Sequence, residues 1–229
     1  MATDWGLWPS AISSASALGG VLIGAGLTQW RESKRENDRR VRESNYLSIL
    51  LLAHLDRFAD GCLSVAYDDG TSEGQPAGGN GFHATTVALP QFDPLSLDVD
   101  WKVLPRDLMH KILYLPHRVE QLSSTISNKY EYDDAPEYAC FFWARRHGFA
   151  VLGLEASDIA RRLRNHSGVL EMPPIEEDQN RDESLRSIRD TITAERDAHN
   201  ARLAASNREL FEGLQATKTS NKDKTTCPT

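Results

Sequence analysis

From Trp5 to Trp30 the chain runs 26 consecutive residues without a charge, and a dense run of charges begins at Arg31. A hydrocarbon core about 30 Å thick is crossed by roughly 20 mostly apolar residues at 1.5 Å rise each, and the uncharged run is long enough to do so with some tilt. Trp5, Trp8 and Trp30 bracket it, as amphipathic rings do when they settle at the two headgroup levels. The pattern predicts one membrane-spanning helix over residues 5–30, with a water-exposed body following it. Ser13, Ser14, Ser16, Gly19, Gly20, Gly24 and Gly26 dilute the apolar residues of the span. Two competing readings are a cleaved signal peptide and a hydrophobic helix buried in a core. The start carries Asp4 and no Lys or Arg, and most of the apolar run follows the Ala15-Ser16-Ala17 triplet, which is the wrong order for cleavage.

Orientation follows from basic residues near the ends of the span. Arg31, Lys34, Arg35, Arg39, Arg40 and Arg42 come after it and none precedes it. The expectation is therefore an inner-membrane, single-pass chain with its C-terminal body in the cytoplasm. Within the span, Ser16, Gly20, Gly24 and Thr28 recur every four residues. Such a stripe of small residues lets two backbones approach closely, which predicts a self-association face.

The rest of the chain supplies one ordinary domain with a core of its own. A formal charge of −7 argues against sequence-independent binding to nucleic acid phosphates. Cys62, Cys140 and Cys227 are far apart and odd in number, with no CxxC, which fits a reducing compartment and no disulfide framework.

The hydrophobic period of this body is mostly helical, and the expected architecture is an antiparallel bundle of about four helices. A charged collar and first bundle helix cover 31–66, with Leu47, Leu51, Leu55, Phe58, Cys62 and Val65 as its buried stripe. The remaining bundle helices occupy 104–214. The first carries Leu108, Ile112, Leu115, Val119, Leu122 and Ile126, and Pro116 inside it predicts a kink or break near Leu115. Another runs from near Pro136 to about Asn165, with Phe142, Phe149, Leu152, Ala156, Ile159 and Leu163 facing inward and Gly168 placed to end it. The last runs from about Asp182 to Leu214, and residues 215–229 read as a disordered tail. Between the first two lies 67–103, glycine-rich and then alternating at Leu95, Leu97, Val99, Trp101 and Val103. Period two predicts a strand, hence a small β-hairpin or flap at 82–103.

Chemistry-bearing patterns are sparse. Asp107, His110, His117 and Glu120 stand at i, i+3 spacings on one helix, but a di-iron bundle would use inward Glu residues and Glu-xx-His motifs, and none occurs. No nucleophile elbow, P-loop or dinucleotide fingerprint is present. Asp68-Asp69 and Asp133-Asp134 read as turn residues, and Arg145, Arg146 and His147 as partners for acids of the last helix. No catalytic, cofactor-binding or metal-binding residues are assigned. The function expected is that of an interaction, scaffold or sensor module held at the bilayer, with a protein partner or a second copy as its target and no nucleic acid. The alternatives are an enzyme with a sparse polar site between bundle and flap, or a membrane-active effector.

Overall fold

The structure, a computed structural model, describes residues 8–170 and 180–223, with side chains described for 27–170, 180–209 and 211–212. Four helices are described: α1 (Trp8–Tyr67), α2 (Arg106–Glu131), α3 (Ala139–Ser167) and α4 (Arg181–Asp223). A two-stranded antiparallel sheet, β1 (Thr71–Ser72) and β2 (Gln75–Pro76), pairs Thr71 with Pro76 and Ser72 with Gln75.

The charged collar contains no Pro or Gly, so nothing interrupts α1, which at 60 residues is roughly 90 Å long. Residues 31–42 are exposed, and Glu36–Arg40 and Arg39–Glu43 ion pairs at i, i+4 run along this stretch. Burial begins at Ser44 and Leu47. From there the expected stripe is realised in full: Leu47, Leu51, Leu55, Phe58, Cys62 and Val65 are all buried.

Helix α3 runs antiparallel to both α1 and α2, which therefore share one direction, and the long 67–105 segment returns the chain between them. Ser44 on α1 meets His166 on α3, whereas Ala66 at the other end of α1 meets Arg146. On α2, Leu122 lies against Gly148 and Tyr130 against Phe141, so α2 runs opposite to α3. Helix α4 crosses α3 in the same sense, with Leu185 at Gly153 and His199 against Trp143, ring centroids 5.1 Å apart. Its Leu185, Ile188 and Ile192 form a seam with Ala66 and Ala150, separate from the main core. The start of α4 is held by Arg181, whose guanidinium reaches Asp56 (3.2 Å), Asp60 (3.0 Å) and Ser157 (3.2 Å), while Arg164 takes the other Asp56 oxygen at 2.6 Å. Leu203 is half-exposed, and α4 continues past Leu214 to Asp223.

The expectations for α2 and for 82–103 meet different outcomes. Helix α2 is continuous through Pro116, so of the expected kink or break near Leu115 the break does not occur. A proline in mid-helix loses one hydrogen bond and crowds the preceding turn, but buried Leu108, Ile112, Leu115 and Ile126 anchor both halves against the same neighbours. The expectation for 82–103 is corrected, because the segment holds no hairpin. The paired strands lie earlier, at 71–76, and the alternating stretch forms two 3₁₀ turns, Pro94–Ser96 and Trp101–Val103. Asp100 accepts from the Lys102 amide at 3.0 Å, and a side chain that caps a turn competes with strand pairing. Leu97, Val99, Trp101 and Val103 pack on the core from an irregular segment, which imitates the one-sided burial of a strand.

That segment is pressed onto α1. The Phe58 and Phe92 rings lie 5.5 Å apart, and a Cβ added at Gly61 would stand 2.6 Å from the Pro90 Cβ. Replacing Gly61 with Leu should therefore lift the 84–95 stretch off α1. The expected cost is about 1–3 kcal/mol of stability, and limited proteolysis should cut that stretch faster while helical circular dichroism is retained.

Candidate functional site

The site begins where α1 ends. Asp68 follows the last turn of α1, and its amide donates to the Val65 carbonyl at 3.2 Å. Its buried carboxylate collects five donors: the amides of Gly70, Thr86 and Val87 at 3.2, 3.0 and 3.0 Å, the Thr86 hydroxyl at 2.9 Å and Arg145 Nη1 at 2.6 Å. Arg145 is itself 1% exposed, and its Nη2 donates to the Val87 carbonyl at 2.5 Å. Arg146 turns the other way and its Nε donates to the Ala66 carbonyl, where a cation suits the C-terminus of α1. Burial alone would raise the Asp68 carboxyl, but the hydrogen bonds from Thr86, Val87 and Arg145 outweigh it and hold the group below its ordinary range.

This pair folds residues 68–87 into a tight loop. Gly70 takes φ +81°, and a Cβ there would stand 2.3 Å from Phe142 Cζ, so no other residue fits without displacing that ring. The Gly70 carbonyl accepts from Ala77 and Ala84, and the His83 amide donates to Pro136 in the α2–α3 connection. His83 is thereby carried to the aromatic corner where α2 meets α3. A carbonyl can only accept, so His83 Nδ1, 3.0 Å from the Asp69 oxygen, carries a proton there.

Between loop and corner opens a cleft of about 400 Å³ lined by His83, Ala84, Thr85, Ser127, Tyr130, Tyr138 and Phe141. Tyr130 stacks on Tyr138 at 5.1 Å and meets Phe141 edge-on at 5.2 Å, while Phe82 closes on Tyr138 from the loop side at 6.4 Å. Tyr138 holds φ +49°, ψ +47°, a left-handed conformation that costs a non-glycine residue about 1–2 kcal/mol. The strain is held in place because the Tyr138 amide donates to Asp134 and its carbonyl starts α3 by accepting from Phe142. Asp133 supplies the other cap, accepting from the Phe141 amide at 2.7 Å. The Tyr138 hydroxyl is held above its ordinary value, by burial first and then by Tyr130 and Asp133.

The residues singled out in the sequence fall elsewhere. Ser16, Gly20 and Gly24 lie outside the residues whose side chains are described, and Thr28 is exposed. The expected span at 5–30 likewise lies largely outside them, and among the described residues no helix is long and apolar enough to cross a membrane. His110 stacks on Tyr114, and His117 on its next turn bonds Gln121, both on the exposed side of α2. Among the described residues no group of three His, Cys, Asp or Glu side chains converges as metal ligands would. A Ser–His contact, Ser44 Oγ to His166 Nε2 at 3.3 Å, lies in the α1–α3 seam with Ser44 buried, out of reach of a substrate carbonyl. Arg145 was expected to pair with α4 and pairs instead with Asp68. The signal was present, since Arg145 stands three residues after Phe142 and four before Phe149, on the buried stripe of α3.

No protein-family model, curated protein or solved structure matches the chain.

Removing one partner of a buried pair strands the other charge, so Asp68→Asn or Arg145→Met should each cost about 3–5 kcal/mol in denaturant unfolding. The double replacement should cost less than the two summed, because neither charge is then left alone. A carboxyl whose folded pKa is depressed stabilises fully above its unfolded value, about 3.9, and loses that contribution as pH falls through the folded value. Acid titration of stability should therefore be flatter in Asp68→Asn than in the parent chain.

Proposed function

We propose that the chain is a single-pass inner-membrane protein, spanning at 5–30, whose cytoplasmic helical bundle is an interaction module, serving a scaffold or sensor complex. The observation that carries the proposal is the continuity of α1. One helix runs from inside the uncharged stretch, through an exposed charged segment, into the core of the bundle. The segment from Arg31 to Glu43, at 1.5 Å per residue, would hold the body roughly 20 Å from the bilayer. Its basic residues suit an anionic leaflet at about 1 kcal/mol each, and its i, i+4 pairs stiffen a helix with no tertiary partner. The uncharged Trp5–Trp30 stretch with its bracketing tryptophans supports the span. The partners are then the lipid bilayer, a protein bound by the body, and a second copy through Ser16, Gly20, Gly24 and Thr28.

Carbonate washing of membranes, with a reporter fused to the C-terminus, tests the reading. The protein should stay in the pellet with the reporter cytoplasmic, and Gly20→Ile should weaken crosslinking between copies without releasing the protein. Release into the supernatant would sink the anchor and reopen the enzyme alternative. A growth defect reproduced by residues 1–45 alone would favour the membrane-active effector.

A further inference from the structure

The aromatic cleft has a chemistry of its own. We infer that it is the docking pocket for a lysine or arginine side chain carried by a segment of the protein partner. Its lining holds three aromatic rings, from Tyr130, Tyr138 and Phe141, together with acceptors from Ser127 and Thr85, and it contains no Lys or Arg. The faces of such rings attract cations within about 6 Å of the centroid. The corner that carries the rings is acidic: Glu131, Asp133, Asp134 and Glu137 stand against the single Lys129 between residues 128 and 138. Of these, Asp133 is engaged with the Phe141 amide, whereas Glu131, Asp134 and Glu137 are exposed on the connection that carries Tyr130 and Tyr138. Aromatic walls, acceptors within and unneutralised acids outside select a cation with an apolar stem. That describes a Lys or Arg side chain, whose methylenes pack on rings while the head reaches polar atoms. The strained Tyr138 fits this role, because a costly backbone conformation persists where it aims a side chain into a site. A cleft of about 400 Å³ is of the size that small ligands and single side chains fill.

The inference rests on the interaction-module reading but not on the membrane span, and the two fail separately. A chain released by carbonate that still binds the probe would lose its anchor and keep its pocket. A chain that stays in the membrane and ignores the probe would do the reverse.

The test uses the full chain in lipid nanodiscs with its tyrosines replaced by fluorotyrosine, read by fluorine NMR. The probes are blocked tripeptides Ala-Lys-Ala and Ala-Arg-Ala, the norleucine peptide of the same length, and tetramethylammonium. A Lys or Arg peptide should shift the Tyr130 and Tyr138 resonances saturably in the millimolar range and bind at least about tenfold tighter than the norleucine peptide. Tyr130→Leu, at a half-exposed position on α2, should weaken binding about tenfold, and Asp134→Asn with Glu137→Gln about threefold, both with unchanged thermal unfolding. Equal binding of the norleucine peptide would make the cleft merely apolar and overturn the inference. So would the absence of any saturable shift, or preference for tetramethylammonium over both peptides, which would indicate a quaternary ammonium headgroup instead.

Discussion

A single buried carboxylate organises the working end of this molecule. Asp68 sits where α1 stops, and with Arg145 it ties together three parts of the fold: the end of the long helix, the Thr86–Val87 stretch of the irregular 67–105 segment, and the inward face of α3. Burying either charge alone would be prohibitive, and burying both is acceptable because the carboxylate takes five donors while the guanidinium donates to Asp68 and to the Val87 carbonyl. Specificity is the gain. An apolar pair could fill the same volume, but it could not dictate that the amides of Thr86 and Val87 converge at that point. The loop geometry that carries His83 to Tyr138, and with it the cleft, follows from that convergence.

The two ends of the body are built differently. Toward the N-terminus, α1 leaves the bundle alone, with charges on its exposed surface bridged along the helix itself. A helix stabilised by its own i, i+4 pairs keeps its direction without packing, which is what a standoff between a bilayer and a folded body requires. At the opposite end, α1 stops at Tyr67 and the aromatic corner between α2 and α3 lies beside the loop that follows. The cleft lies at that end, remote from the uncharged stretch of α1. The proposed anchor and the proposed pocket thus lie toward opposite ends of α1.

The helices were largely legible in the sequence, and the site was not. The stripes from Leu47 to Val65 and from Phe142 to Leu163 are regular because each helix buries one face over its length, and burial at period 3.6 writes itself into residue type. Gly168 ends α3 in a left-handed conformation, as its position implied. The alternation from Leu95 to Val103 misleads because a chain lying against a core buries every second side chain whether or not it pairs with a neighbour. Asp69 is the turn residue that Asp68-Asp69 suggested, its carboxylate accepting from Thr71. Asp68 has that local role as well as a partner 77 residues away, and no local pattern reports such a partner. The cleft follows from the same long-range closure, so its aromatic residues could be read only as helix and loop composition.

Cysteine labelling in spheroplasts tests most directly whether a folded body hangs inside the membrane. Cys140 is exposed, whereas Cys62 is buried and its thiol is pushed up by that burial, so only the first should react while the bundle is intact. In a Cys227→Ser chain, a membrane-impermeant maleimide should leave the membrane-bound protein unmodified in intact spheroplasts. After permeabilisation it should add one label, at Cys140. Labelling of Cys140 before permeabilisation would place the body on the outer face and contradict the orientation, and labelling of Cys62 alongside it would contradict the core from which the Asp68 arrangement is built.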